Sequence, residues 1–123
     1  MVDLSELNSL VNNAYPSRKD EPYQDLWGPS RDFNGQDCAN AVTEKTFRLI
    51  SQGISQENLG VGCCYIQSAP GRKKWRHVVL LCNHNDQVYA LDINTDKATS
   101  VEDIHLFHSW FYVTPKFVKI LGL

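Results

Sequence analysis

Apolar and polar positions along the chain change period several times, and each change marks an element. Residues 3–13 (DLSELNSLVNN) place Leu4, Leu7, Leu10 and Val11 at helical spacing, which predicts a short amphipathic helix. Ala39, Val42, Thr46, Leu49 and Ile50 recur at the same spacing. They predict a second helix that Asp37 caps and Gly53 stops. The pattern then becomes β-like. Residues 61–67, 75–83 (WRHVVLLCN) and 88–93 (VYALDI) are apolar and rich in β-branched side chains, and they read as strands. The tail 111–123 alternates in places and predicts an edge strand. The aromatic segment HLFHSWFY before it reads as cover for the core. Residues 15–33, rich in Pro, polar and aromatic side chains, read as an ordered loop leading into the second helix. Helices followed by antiparallel strands make an α+β domain.

Between the strands 75–83 and 88–93, His84, Asn85 and Asp86 supply turn chemistry. A turn centred on His84-Asn85 sets Asn83 opposite Asp86, Leu81 opposite Val88, Val79 opposite Ala90, and His77 opposite Asp92. Directly opposed residues share a sheet face, with Cβ atoms about 4.5–5.5 Å apart. An imidazole and a carboxylate would then touch, with Trp75, Val79 and Leu81 on the imidazole's strand face. A slip of one residue would send them to different faces.

A nucleophilic thiol needs a base within reach and a third group to orient that base. Cys38 falls in the first turn of the second helix. Unpaired backbone N–H groups and the helix dipole there favour a thiolate and can hold an oxyanion, although the charge of Asp37 opposes the thiolate. Cys38, His77 and Asp92 thus form a candidate catalytic series. Gln36 is a candidate oxyanion donor through its amide, and Trp27, with Phe33, a candidate cleft wall. Each has a plainer reading: Gln36 as a solvated loop residue, the aromatics as core plugs. Cys63 and Cys64, adjacent on one strand, point to opposite faces, and Cys82 alternates away from His77. These three read as small buried hydrophobes.

The residues Trp27, Asp37-Cys38 opening a helix, His77 on a strand and Asp92 closing the next strand carry a resemblance. Over roughly residues 10–95 the chain resembles the bacterial transglutaminase-like cysteine peptidases, LapG-type proteases among them. The resemblance implies a papain-like, transglutaminase core, with a helix bearing the Cys packed on an antiparallel sheet, and peptide-bond hydrolysis. It also carries a departure. LapG-type members place acidic residues at the two positions after the Cys, where they help bind calcium; this chain has Ala39 and Asn40. Calcium is therefore not expected, and no other cofactor is.

Composition bounds the rest. The 123 residues suffice for one domain spanning 1–123. Twelve basic residues against fourteen acidic ones give a formal charge of −2, with no basic stripe, so nucleic acid is not an expected partner. The longest strongly apolar run, 78–82, is too short for a membrane span. MVDLSELNSL carries acids where a signal peptide carries positive charge, so the expectation is a cytoplasmic protein, of bacterial or phage origin. Without a C-x-x-C pair, and with His105 and His108 far from any Cys, structural zinc is not expected. The basic loop 68–74 reads as a solvated hairpin tip.

The function this predicts is a cysteine peptidase acting on a protein or peptide substrate through a thioester. A transglutaminase or deamidase would use the same residues. A binding protein on the same fold, such as a phage-encoded inhibitor of a host factor, is the non-enzymatic alternative.

Overall fold

The computed structural model describes residues 2–15, 37–67, 74–101 and 109–112. Helix α1 spans Leu4–Ala14, and the Asp3 carboxylate caps it by accepting from the Glu6 N–H at 3.0 Å. Leu4, Leu7, Asn8 and Val11 are its buried residues, while Leu10 is 50 % exposed. Positions 4, 7, 8 and 11 form one helical stripe, and position 10 falls outside it. The predicted apolar face therefore holds except that Leu10 leaves it and the amide of Asn8 takes a place in it.

Helix α2 spans Cys38–Ser51. Asp37 is its N-cap, and the cap is reciprocal. Asp37 Oδ1 accepts from the Asn40 N–H at 2.8 Å, and Asn40 Oδ1 accepts from the Asp37 N–H at 3.2 Å. Two orphan donors of the first turn are thereby satisfied. The far end closes at Gly53, whose φ of 95° lies in the left-handed region. The Gly53 N–H donates to Ile50 O and the Ile54 N–H to Leu49 O, both at 3.0 Å. That pair of bonds is a Schellman closure, and it explains why the helix ends there.

A 3₁₀ turn, Gln56–Asn58, leads into the sheet. The strands are β1 (Leu59–Gln67), β2 (Lys74–His84), β3 (Gln87–Leu91), β4 (Thr99–Ser100) and β5 (Ser109–Tyr112). Their order is β4-β3-β2-β1-β5, with every described pairing antiparallel. An edge strand is present at Ser109–Tyr112, where the backbone pairs with β1; it overlaps the start of the strand predicted for the tail. Residues 113–123 lie outside the described residues, as do residues 68–73.

Alternation along β2 separates two cores. Leu80 and Cys82 join α1, α2 and β1 in the larger cluster, whose centre includes Val11, Leu49 and Val61. Val79 and Leu81 pack with Ala90 in a smaller one. Burying a Leu or Val fully contributes about 1.5–3 kcal/mol, so the larger cluster dominates. Cys82 is fully buried there, and burial pushes its thiol up to about 11. Cys63 is partly buried against the same cluster. Both fit the hydrophobe reading; the Cys64 side chain lies outside the described residues. No helix among the described residues is long and apolar enough to cross a membrane.

The β2–β3 hairpin corrects the predicted register. His84 pairs with Gln87, Leu81 with Ala90 and Leu80 with Leu91. The two-residue turn is Asn85-Asp86, not His84-Asn85. A type I′ hairpin turn has positive φ at both central residues, and Asn85 (54°) and Asp86 (63°) supply it. Asn and Asp, whose short polar side chains can hydrogen-bond locally, are the non-Gly residues that most often adopt that conformation. Each arm moves by one residue, so the sum of paired positions changes by two. An even change leaves every side chain on its predicted face. Asp92 consequently lies diagonal to His77 instead of opposite it.

Candidate active site

Cys38 is the first residue of α2, held there by the cap on Asp37. His77 lies on β2, where its backbone pairs with that of Cys64, and it is only 4 % exposed. Asp92 follows the last residue of β3. Diagonal neighbours in an antiparallel pair are about 7–8 Å apart at the backbone, within reach of long side chains. The imidazole spans that gap: His77 Nε2 lies 2.8 Å from Asp92 Oδ1. With Nε2 engaged, Nδ1 is the ring nitrogen left for a second partner, and the Cys38 side chain lies near enough to act on the imidazole. The structure thus brings together the three residues that the sequence singled out. Gln36 and Trp27 lie outside the described residues, as do Phe33, His105 and His108.

The electrostatics follow from these contacts. The hydrogen bond to Asp92, with the nearby Cys38 side chain, raises the His77 imidazole from its ordinary 6.5 to about 9, against the opposing effect of burial. For Asp92, burial alone would raise the carboxyl. Hydrogen bonds from His77 and from the Asn94 N–H, with the charges of His77 and Lys45, outweigh burial and hold the carboxyl below its usual value. The Asn94 N–H donates to the same Oδ1 at 2.9 Å, closing an Asx turn. Two donors converging on one oxygen fix the carboxylate in place.

Lys45 escaped the sequence reading. It is fully buried on α2, and its Nζ has no hydrogen-bond partner among the described residues. Burial lowers it from 10.5 to about 7, partly offset by the charge of Asp92. Its neighbour Glu44 is equally buried but is bound by Arg48 Nε at 2.8 Å. A signal was present in the sequence: position 45 falls on the apolar stripe between Val42 and Leu49, where a charge is out of place.

Around Cys38, the two positions where LapG-type proteins carry acids do not fit a hard cation. Ala39 has no ligating oxygen, and Asn40 Oδ1 is committed to the Asp37 N–H. Calcium takes six to eight oxygens, preferably several of them carboxylates. Among the described residues, no group of three or more His, Cys, Asp or Glu is arranged to hold a metal ion.

The described residues form an α+β, transglutaminase-like fold, helices on an antiparallel sheet, with Cys38 at a helix start beside the His77–Asp92 pair. Solved structures of Legionella pneumophila LapG share it. The calcium-bound form superposes with a TM-score of 0.62 at 22 % identity, covering 80 % of this chain and 56 % of that one. A second LapG structure gives 0.60 at 23 %, covering 80 % and 55 %. This chain thus spans little more than half the length of these neighbours. No protein-family model matches the sequence, and a comparison with curated proteins gives no match. The likeness is one of fold.

Proposed function

We propose that the chain is a cysteine peptidase in which Cys38 is the nucleophile, His77 its proton partner and Asp92 the group that orients and charges the imidazole. The observation that carries this reading is the 2.8 Å contact between His77 and Asp92, on an imidazole that also reaches Cys38. His77, oriented by Asp92, takes the proton of the Cys38 thiol as general base. The resulting thiolate is the nucleophile. It attacks the carbonyl carbon of the scissile bond, and the Cys38 backbone N–H faces the developing oxyanion. The imidazolium gives its proton to the leaving amine, and a thioester remains. Water attacks the thioester with neutral His77 as base, and the acid product leaves.

The substrate class is a protein or peptide. The residues around Cys38 support a reaction independent of calcium. The test is labelling with a thiol-directed activity probe, mapped by mass spectrometry, followed by digestion of a peptide library. Selective labelling of Cys38 and cleavage products lost in Cys38→Ser are expected. Ammonia release or amine incorporation without chain cleavage would replace the peptidase by a deamidase or transglutaminase. Equal labelling of all four Cys would favour a binding protein.

A further inference from the structure

Asp92 lies beyond the end of β3, so the sheet ladder does not hold its backbone. The segment that follows is held instead by α1, some eighty residues away in sequence. Asn12 Nδ2 donates to the carbonyl of Asp92 itself at 3.0 Å and to that of Thr95 at 2.8 Å. Asn8 Nδ2 donates to the carbonyls of Thr95 at 2.8 Å and Asp96 at 3.2 Å. Ser5 Oγ accepts from the Ala98 N–H at 3.1 Å. Asn8 and Asn12 are one helical turn apart and present their amides to the same loop. Asn8 is fully buried, and it occupies a place in the apolar stripe of α1 that a Leu or Val would fill if packing alone mattered. An amide there is costly unless bonded, so its retention marks the bonds it makes.

We propose that Asn12, supported by Asn8, is a positioning residue for Asp92: α1 sets the backbone angle from which the carboxylate reaches diagonally to His77. The inference rests on the reading of the Cys38–His77–Asp92 site given above. A diagonal contact tolerates little displacement. A loop that shifts by about 1 Å carries the carboxylate out of hydrogen-bond range of the imidazole. Among the described residues, the groups acting on the imidazole are the Asp92 carboxylate and Cys38, and the cation acting on Asp92 besides His77 is Lys45. Asn12 carries no charge. Any change it causes in His77 therefore passes through the placement of Asp92.

The test reads the His77 titration by NMR, assigned by its loss in His77→Ala, together with the pH dependence of Cys38 alkylation. In Asn12→Ala the His77 midpoint should fall from about 9 by about one pH unit or more towards its ordinary value. Cys38 alkylation at pH 6 should slow by up to about tenfold, the limit that a one-unit fall in the imidazole sets. In an Asp92→Ala background the same substitution should shift nothing further, because the two act in series. Asn13→Ala, one residue along and bonded only within α1, should leave both readings unchanged. An unmoved His77 midpoint in folded Asn12→Ala, or an equal shift with Asp92 absent, overturns the proposal. If Asn12→Ala does not fold, Asn12→Ser is read in the same way. Failure of both to fold would make the tie a stability device and also overturn it. A high His77 midpoint in the unmodified protein without selective Cys38 alkylation would sink the peptidase reading and leave the tie to Asp92 standing.

Discussion

Helix α2 delivers Cys38 through its own backbone. A reciprocal cap between Asp37 and Asn40 defines the first turn, and the nucleophile candidate is simply the first residue inside it. Helix α1 instead acts through side chains that cross to the 92–98 segment. The reciprocal cap is local: its two side-chain bonds join residues three apart. The α1 tie joins residues 80 or more apart and exists only once the core has formed. The two helices differ in buried charge as well. Asn8 on α1 is neutral and finds carbonyls to bond, whereas Lys45 on α2 is a buried cation without a hydrogen-bond partner among the described residues. A position that is cheap to specify locally can thus be built by backbone geometry, while one lying beyond a strand end needs long-range polar contacts.

Removing the His77–Asp92 pair that faces the start of α2 should have the largest effects. His77→Ala should lower peptide hydrolysis by about 10²–10⁴-fold, the range typical of general acid–base catalysis. Asp92→Ala should cost less, since it acts only through the imidazole. Steady-state kinetics with a cleaved library peptide checks the order. A larger loss in Asp92→Ala would mean that the carboxylate has a role of its own.

Stability against pH sharpens the contrast in buried charge. His77 is raised from 6.5 to about 9 in the folded chain, so its stabilisation is complete below pH 6.5 and disappears as pH rises through 9. Lys45 is lowered from 10.5 to about 7, so its penalty is complete below pH 7 and is relieved as pH rises towards 10.5. Between pH 7 and 9 the two slopes oppose each other, each up to about 1.4 kcal/mol per pH unit. The urea midpoint should change little across that window. Lys45→Met should make it fall with rising pH, and His77→Ala should make it rise. Parallel curves for the two variants would show that Lys45 is not a buried charge.

A smaller effect is expected at the turn. Asp86 has a φ of 63°, a conformation that Gly adopts without strain. Asp86→Gly should change stability by no more than about 1 kcal/mol, read as a small shift in Tm. Relief of the left-handed backbone is offset by the greater freedom of Gly in the unfolded chain, and peptide hydrolysis should be unchanged. A loss of activity would mean that the turn, as well as the α1 tie, sets the diagonal reach of Asp92.

The smallest effect expected is none. Calorimetric titration with calcium should give no micromolar binding, and a chelator should leave hydrolysis intact, because the start of α2 bonds to itself where LapG-type proteins carry acids. Micromolar heat would show that the cap opens to admit the ion.

The amino-acid sequence by itself determined the features that depend on near neighbours. The cap at Asp37, the stop at Gly53, the strands around His77 and the shared face of His77 and Asp92 follow from side-chain period, turn chemistry and the helix signals within a few residues. Even the mistaken turn centre preserved that face, since a side-chain period of two forgives an even slip. The tertiary structure decided what depends on distant partners. The hairpin register settled on Asn85-Asp86 through the backbone angles of the closed turn. Lys45 and Asn8 stand on apolar stripes, and only the packed core shows the buried cation acting on Asp92 and the buried amide bonded to the Thr95 and Asp96 carbonyls. Polar groups in a stripe are visible in a sequence, but the partners that justify their burial come from segments the local pattern does not encode.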